Sequence, residues 1–390
     1  MKNYDFALQE LRSLMQKDAL EGRDRARLWG LILKANSDYS QIYASRWRPY
    51  IEGFPHHLEE PLATVGSVWK LEQVTGLVPL ATFELELFQS SPGAELFASL
   101  MLKPSLERVS TLAVGFSEAS MSCARALTAS PHLTHLRSLI LKSDFDNGVM
   151  EVVVDAPFMR NLNRLEITWS CVEPRELQVL LSSLTNARLE HLDVTGNPLG
   201  AEGAELFSQA PGVRRLRTLG MSECGLFDDG VAELAQASTL SDLETLNIGY
   251  NEITAAGLKR LIDSPHMSSL RALDLGANPT LSDDGVEMLV TSSWSASLKR
   301  LDLGYTGLSD RGALAIASSP HLDQLEALNL CVNGIGDQGA YALANAQSLR
   351  NLRELQLGDN AIGPAGIQAL VDSPYLSDSV KNQLRAELMG

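Results

Sequence analysis

From Leu243 the chain reads LETLNIGYNEITAAGLKRLIDSP, and its apolar residues change period partway along. Leu246 and Ile248 stand two apart, which puts both side chains on one face of a short strand. Asn251 and Ile253 mark a turn and a re-entry. After Gly257, Leu258, Leu261 and Ile262 fall at helical spacing, and Ser264-Pro265 closes the unit. The same pattern restarts at Leu189, Leu216, Leu270, Leu298, Leu325 and Leu352, so successive starts lie 27, 27, 27, 28, 27 and 27 residues apart. Looser copies begin at Leu80, Val109, Leu136 and Leu162, which makes eleven units.

A strand–turn–helix unit of this length cannot bury its own apolar edge, so units of this kind stack. The pattern predicts an α/β, right-handed horseshoe solenoid of about 10–11 repeats, with a parallel concave sheet and convex helices. Strands stack about 4.8 Å apart and helices roughly 8–10 Å, so the stack curves with its sheet inside. Residues 1–79 fall outside the period. They suggest amphipathic helices at 4–15, 24–34 and about 39–50, the last limited by Pro49, and then a Gly/Pro loop. The expected organisation is a helical N-terminal capping module at 1–79, the solenoid at 80–376, and a C-terminal capping helix at 377–390 with Leu384 and Leu388 on one side.

The L-x-x-L-x-L-x-x-N run followed by a full helix resembles the leucine-rich repeat family, in its ribonuclease-inhibitor-like form. That resemblance implies a non-catalytic horseshoe that binds a basic protein in an acidic concavity. The chain departs from that form in holding only four cysteines. Its repeats also look like those of Ran GTPase-activating proteins and of ligase-bearing bacterial repeat proteins. These imply an alternative role as a regulatory activator or ubiquitin-ligase adaptor, although the reactive-Cys domain of the latter is not expected here. Trp47, Gly53, Phe54, Trp69 and Gly76 are similar to the helical leader of the bacterial repeat-companion domain, with YASRW at 43–47 in place of its acidic segment.

Charge sharpens the picture. The formal net charge is −16, and residues 1–79 hold ten Lys/Arg against ten Asp/Glu, so the whole excess lies in 80–390. An acidic repeat region argues against nucleic-acid or anionic-membrane partners, which need clustered Lys and Arg. It favours a protein with a basic surface or segment, and it leaves the oligomeric state open. Cys123, Cys171, Cys224 and Cys331 fall in different repeats, with neither disulfide nor zinc spacing. The N-terminus shows no apolar signal region, and no stretch approaches 18 apolar residues. The expected location is the cytoplasm, with secretion as a signal-less effector the alternative.

Two columns of the repeat carry the candidate residues. Asn197, Asn251, Asn278, Asn333 and Asn360, with Cys224 and Thr306 as substitutes, form a structural ladder that satisfies backbone groups in a buried turn. His132, His266 and His321 follow Ser-Pro at matching positions and read as turn residues rather than metal ligands. On the outward side of the strands the column runs Glu166, Asp193, Gly220, Asn247, Asp274, Asp302, Asn329, Gln356. Small residues stand two positions later, and Trp169, Tyr250 and Tyr305 stand beside those. Aromatics next to hydrogen-bonding acids are the anchor chemistry of protein interfaces. The expected partner-binding residues are therefore Trp169, Asp193, Asn247, Tyr250, Asp274, Asp302, Tyr305 and Asn329. A merely solvated sheet face would show the same column. Asp274 and Asp302 occupy adjacent rungs about 5 Å apart. That spacing suits paired-carboxylate glycosidase chemistry, but an open sheet face excludes no water. The sequence shows no phosphate loop, G-x-S-x-G or H-E-x-x-H. No enzyme activity, cofactor or metal is expected.

Overall fold

A computed structural model describes residues 64–65, 83–87, 94–116, 120–143, 148–184 and 188–389. The three N-terminal helices and the residues similar to the companion domain lie outside the described residues, as does most of the 1–79 module. Strands occur at each expected position from the unit at Leu80 onward, and the short β1 (Thr64–Val65) precedes them.

The chain divides into two compact units, Met1–Leu165 and Glu166–Gly390. In the first, β1, β2 (Phe83–Leu87), β3 (Val109–Phe116) and β4 (Ser138–Ser143) pair in parallel in chain order. Helices α1 (Ala94–Met101), α2 (Ser120–Thr128) and α3 (Val149–Val154) alternate with them. Leu112, Val114, Leu139 and Leu141 point inward at period two and are fully buried, with Phe97 and Val153 from the helices. β5 (Arg164–Ile167) falls at the junction of the two units in sequence.

The second unit is the regular one. Its strands are β6 (His191–Asp193), β7 (Thr218–Gly220), β8 (Thr245–Asn247), β9 (Ala272–Asp274), β10 (Arg300–Asp302), β11 (Ala327–Asn329) and β12 (Glu354–Gln356). They pair in parallel in strict order, and the register sets Leu192, Leu219, Leu246, Leu273, Leu301, Leu328 and Leu355 side by side. All seven are buried. The other face of the core comes from helices α4 (Pro174–Ser183), α5 (Gly200–Gln209), α6 (Phe227–Gln236), α7 (Ala255–Ile262), α8 (Ser282–Thr291), α9 (Asp310–Ser318), α10 (Asp337–Ala344) and α11 (Pro364–Val371). A last helix, α12 (Asp378–Met389), buries Val380 and Leu384 and packs against α11 and β12.

Three side-chain ladders hold the repeats in register. In the first, Asn251 Nδ2 donates to the carbonyls of Met221, Ile248 and Gly249 at 2.8, 3.1 and 3.0 Å. Its Oδ1 accepts from the N–H groups of Cys224 and Leu226, one repeat back, at 3.0 and 3.1 Å. Asn197, Asn278 and Asn333 make the same double set, and Asn360 donates in the same way. The Cys224 thiol reaches the carbonyls of Val194 and Ser222, and the Thr306 hydroxyl that of Leu303. Burial pushes the Cys224 thiol up to about 12, so it stays protonated and donates.

The second ladder is acidic and runs along the helix starts. By sequence, Asp283, Asp310 and Asp337 suit the opening of their own helices. Their carboxylates instead reach forward one repeat. Asp310 Oδ1 accepts from the N–H groups of Gly336 and Gly339 at 2.7 and 2.8 Å, and Asp337 Oδ1 from Gly363 and Gly366 at 2.7 and 3.0 Å. Asp283 takes Ser309 and Gly312 in the same way, and Asp228 takes Thr254. A carboxylate there fills otherwise unpaired N–H groups and complements the helix dipole. This explains the glycine of the helical segment: a Cβ at Gly312 would lie 2.5 Å from Asp283 Oδ1. The third ladder is serine. The hydroxyls of Ser130, Ser264, Ser319 and Ser373 each donate to a carbonyl near the end of the helix one repeat earlier, and the first three accept the N–H of the histidine two residues on.

Candidate functional site

The outward face of β6–β12 is built by register. Asp193, Gly220, Asn247, Asp274, Asp302, Asn329 and Gln356 stand on consecutive rungs. Five of them share a local device. Asp193, Asn247, Asp274, Asp302 and Asn329 each accept the N–H two residues on, at 2.9, 3.1, 2.8, 2.9 and 2.9 Å. This short side-chain turn folds each head group over the next column, where Gly249, Gly276 and Gly304 stand. A Cβ at Gly276 would lie 3.1 Å from both Asp274 Oδ1 and Asp302 Oδ1, so the two carboxylates converge there. Burial raises the Asp274 pKa and the neighbouring Asp302 charge adds to it, against the N–H of Gly276. Asn329 Nδ2 donates to both oxygens of Asp302, at 3.0 and 2.9 Å.

The next column is left-handed in every repeat from β5 on. Trp169, Gly196, Glu223, Tyr250, Ala277, Tyr305, Val332 and Asp359 all have φ between +52° and +75°. Glycine, which fits this conformation without strain, appears once; elsewhere a side chain is held in a conformation that L-residues avoid. Three of those side chains are large aromatics in water: Trp169 is 59% exposed, Tyr250 63% and Tyr305 52%. They do not fill the core.

The eight expected residues do not form one patch. Asn247, Tyr250, Asp274, Asp302, Tyr305 and Asn329 are contiguous over β8–β11. Trp169 and Asp193 belong to the β5–β6 end, separated from the rest by the β7 repeat, whose column positions are Gly220 and Glu223. The Trp169 ring lies across Gly196, where a Cβ would come within 2.5 Å of it.

A groove of about 470 Å³ runs over β8–β12 and is lined by Asp274, Asp302 and Asn329 at one end and by Arg271, Lys299 and Arg300 at the other. The column between the leucines holds no cation, but the groove does. Arg300 is two residues before Asp302, hence on the same face, and among the described residues it makes no ion pair. Period two was the signal available for it. Along the rim, Lys299 and Arg353 both pair with Glu326, at 3.4 and 3.3 Å, and Arg217 pairs with Glu244. The charge therefore varies along the strand direction: the strand starts mix Arg271, Lys299 and Arg300 with Glu326 and Glu354, and the strand ends carry Asp274 and Asp302. Among the described residues, no group of three His, Cys, Asp or Glu is placed to hold a metal ion, and no helix is long and apolar enough to cross a membrane.

Comparison with known proteins matches a Leucine Rich repeat model to residues 185–208, 239–261, 266–290, 295–317, 324–344 and 348–371. No curated protein matches the sequence. Among solved structures, the chain is similar to the Rad7 and Elc1 complex in yeast, with 14% identity over 92% of each chain and a TM-score of 0.43. It is also similar to the TLR13–ssRNA13 complex, with 18% identity, a TM-score of 0.38, and coverage of 70% of this chain and 43% of that one. The six matched stretches coincide with strand–turn–helix units of the regular region, whose buried leucine and asparagine columns are those of leucine-rich repeats.

Proposed function

We propose that the protein is a non-catalytic recognition module that binds a protein segment carrying basic side chains on the concave face of β8–β11. One observation carries the reading: Tyr250 and Tyr305 stand exposed and in left-handed backbone beside the converging carboxylates of Asp274 and Asp302. Strained backbone held in place by a rigid scaffold, with an apolar ring put into water, gains nothing for folding; it fits a surface selected for contact. The acidic excess of the repeats supports a basic partner.

A second reading has its own observation. Leu314 and Tyr341 are 55% and 46% exposed at matching positions of α9 and α10, which suits a scaffold or adaptor that uses the convex face. Capture from a lysate with three proteins separates the two: wild type, Asp274→Lys/Asp302→Lys, and Leu314→Glu/Tyr341→Glu. The concave reading expects partners held by wild type and the helix variant, released by the Lys variant and weakened by salt. Partners lost only with the helix variant would overturn it.

A further inference from the structure

Tyr250, Ala277 and Tyr305 occupy three consecutive rungs of the left-handed column. Their N–H groups bond across the sheet to the carbonyls of Gly276, Gly304 and Cys331, at 2.9, 2.7 and 2.9 Å. The ladder spacing is thus kept through the turn, and the two tyrosines stand two rungs, roughly 10 Å, apart. The residue between them is alanine, 9% exposed, so its own side chain adds only a methyl group to the floor of the interval. On its inner side lies Gly276, over which the oxygens of Asp274 and Asp302 converge. Asp302 is already engaged by Asn329, whereas among the described residues none donates to Asp274 Oδ2.

An interval of that width between two exposed aromatic rings, with a free carboxylate oxygen at its base, has a specific chemistry. A flat cation placed midway lies about 5 Å from each tyrosine's rung, so a ring raised from either rung can reach it within the range of cation–π attraction. A guanidinium presents two faces to rings and an edge of N–H donors to a carboxylate, which a compact ammonium does not. Arg300, two residues before Asp302 on the same face, repels a cation and favours the ends of the strands, from which the tyrosine turns continue.

Building on the concave recognition reading, we infer that Tyr250, Ala277, Tyr305 and Asp274 form a slot for one arginine side chain of the partner protein. Tyr250 and Tyr305 flank the guanidinium, Asp274 Oδ2 accepts its N–H groups, and Ala277 keeps the interval open.

The test uses N-acetyl-arginine amide as probe, with the citrulline and lysine analogues as controls, on full-length protein labelled with fluorotyrosine. Fluorine resonances of Tyr250 and Tyr305, assigned with Tyr250→Gly and Tyr305→Gly, are followed during titration. The slot predicts saturable shifts of both resonances with arginine, at least fivefold weaker binding of citrulline and of lysine, and a loss of at least fivefold in Asp274→Asn. Each Tyr→Gly variant should lose roughly two- to fivefold. Ala277→Leu, which fills the interval, should abolish the shifts. No shift with arginine, equal binding of citrulline or lysine, or indifference to Asp274→Asn would each overturn the slot. Its failure with concave capture intact would leave the recognition reading standing. Binding of arginine with capture lost only in the helix variant would sink that reading and keep the slot.

Discussion

At the scale of single residues, what distinguishes this chain is where it accepts unfavourable backbone. A left-handed L-residue costs about 1–2 kcal/mol, and glycine in its place returns part of that as unfolded-chain entropy. Tyr250→Gly and Tyr305→Gly remove exposed rings with little packing. Each should leave stability unchanged or raise it by roughly 0.5–1 kcal/mol while weakening binding, and denaturant titration beside a binding assay checks both signs. Asn251 is the opposite case. Its side chain satisfies three carbonyls and two N–H groups, so Asn251→Ala strands buried backbone and should cost about 3 kcal/mol or more. The asparagine column was legible because a recurrent short amide beside buried leucines has few other uses. The strain under the tyrosines was not, because no residue type marks left-handed backbone once glycine is replaced. Asp274 adds a pH signature. Its folded-state pKa lies above the ordinary value, so its favourable contribution is complete below the unfolded pKa and is lost as pH rises through the folded one. Asp274→Asn should therefore stabilise the protein at neutral pH, with the advantage shrinking toward pH 4. Asn247 and Asn329 show that an amide keeps the same turn.

At the scale of the element, helices α7, α9, α10 and α11 are each started by an aspartate of the helix before them. Burial would raise Asp283, but the hydroxyl and N–H of Ser309, the N–H of Gly312 and the charge of Arg311 hold it below the usual range. A depressed carboxylate contributes stability above its unfolded pKa and loses it as pH falls through the folded value. Asp283 should therefore lose its contribution to stability as pH falls below about 4, and Asp283→Asn should flatten that limb of the pH–stability curve. Gly→Ala within a helix ordinarily gains about 0.5–1 kcal/mol. Here Gly312→Ala meets Asp283 Oδ1 at 2.5 Å and Leu308 Cδ2 at 2.6 Å, so it should destabilise by roughly 1–3 kcal/mol. The glycine was visible in the sequence as a mark of the helical segment. Its reason was not, because the carboxylate it accommodates lies 29 residues earlier and belongs to another helix. Register within a repeat can be read locally; contact between repeats needs the stack.

At the scale of the molecule, the period carried most of the information. A repeat of 27 or 28 residues with one strand and one helix leaves a stacked α/β solenoid as the arrangement that buries both apolar edges, and β6–β12 pair in that order. The same period let the outward columns be read by position. Period two also held the clue that the groove carries Arg300 two residues from Asp302, so the face is mixed in charge rather than uniformly acidic. Such a surface selects by orientation as well as by charge. The claim at stake is that recognition occurs on the strand side. Amide hydrogen exchange of the protein with and without a captured partner measures that directly. The account predicts protection at the turns 247–251, 274–278 and 302–306, with α9 and α10 unchanged. Protection confined to α9 and α10, with those three turns exchanging as in the free protein, would contradict it.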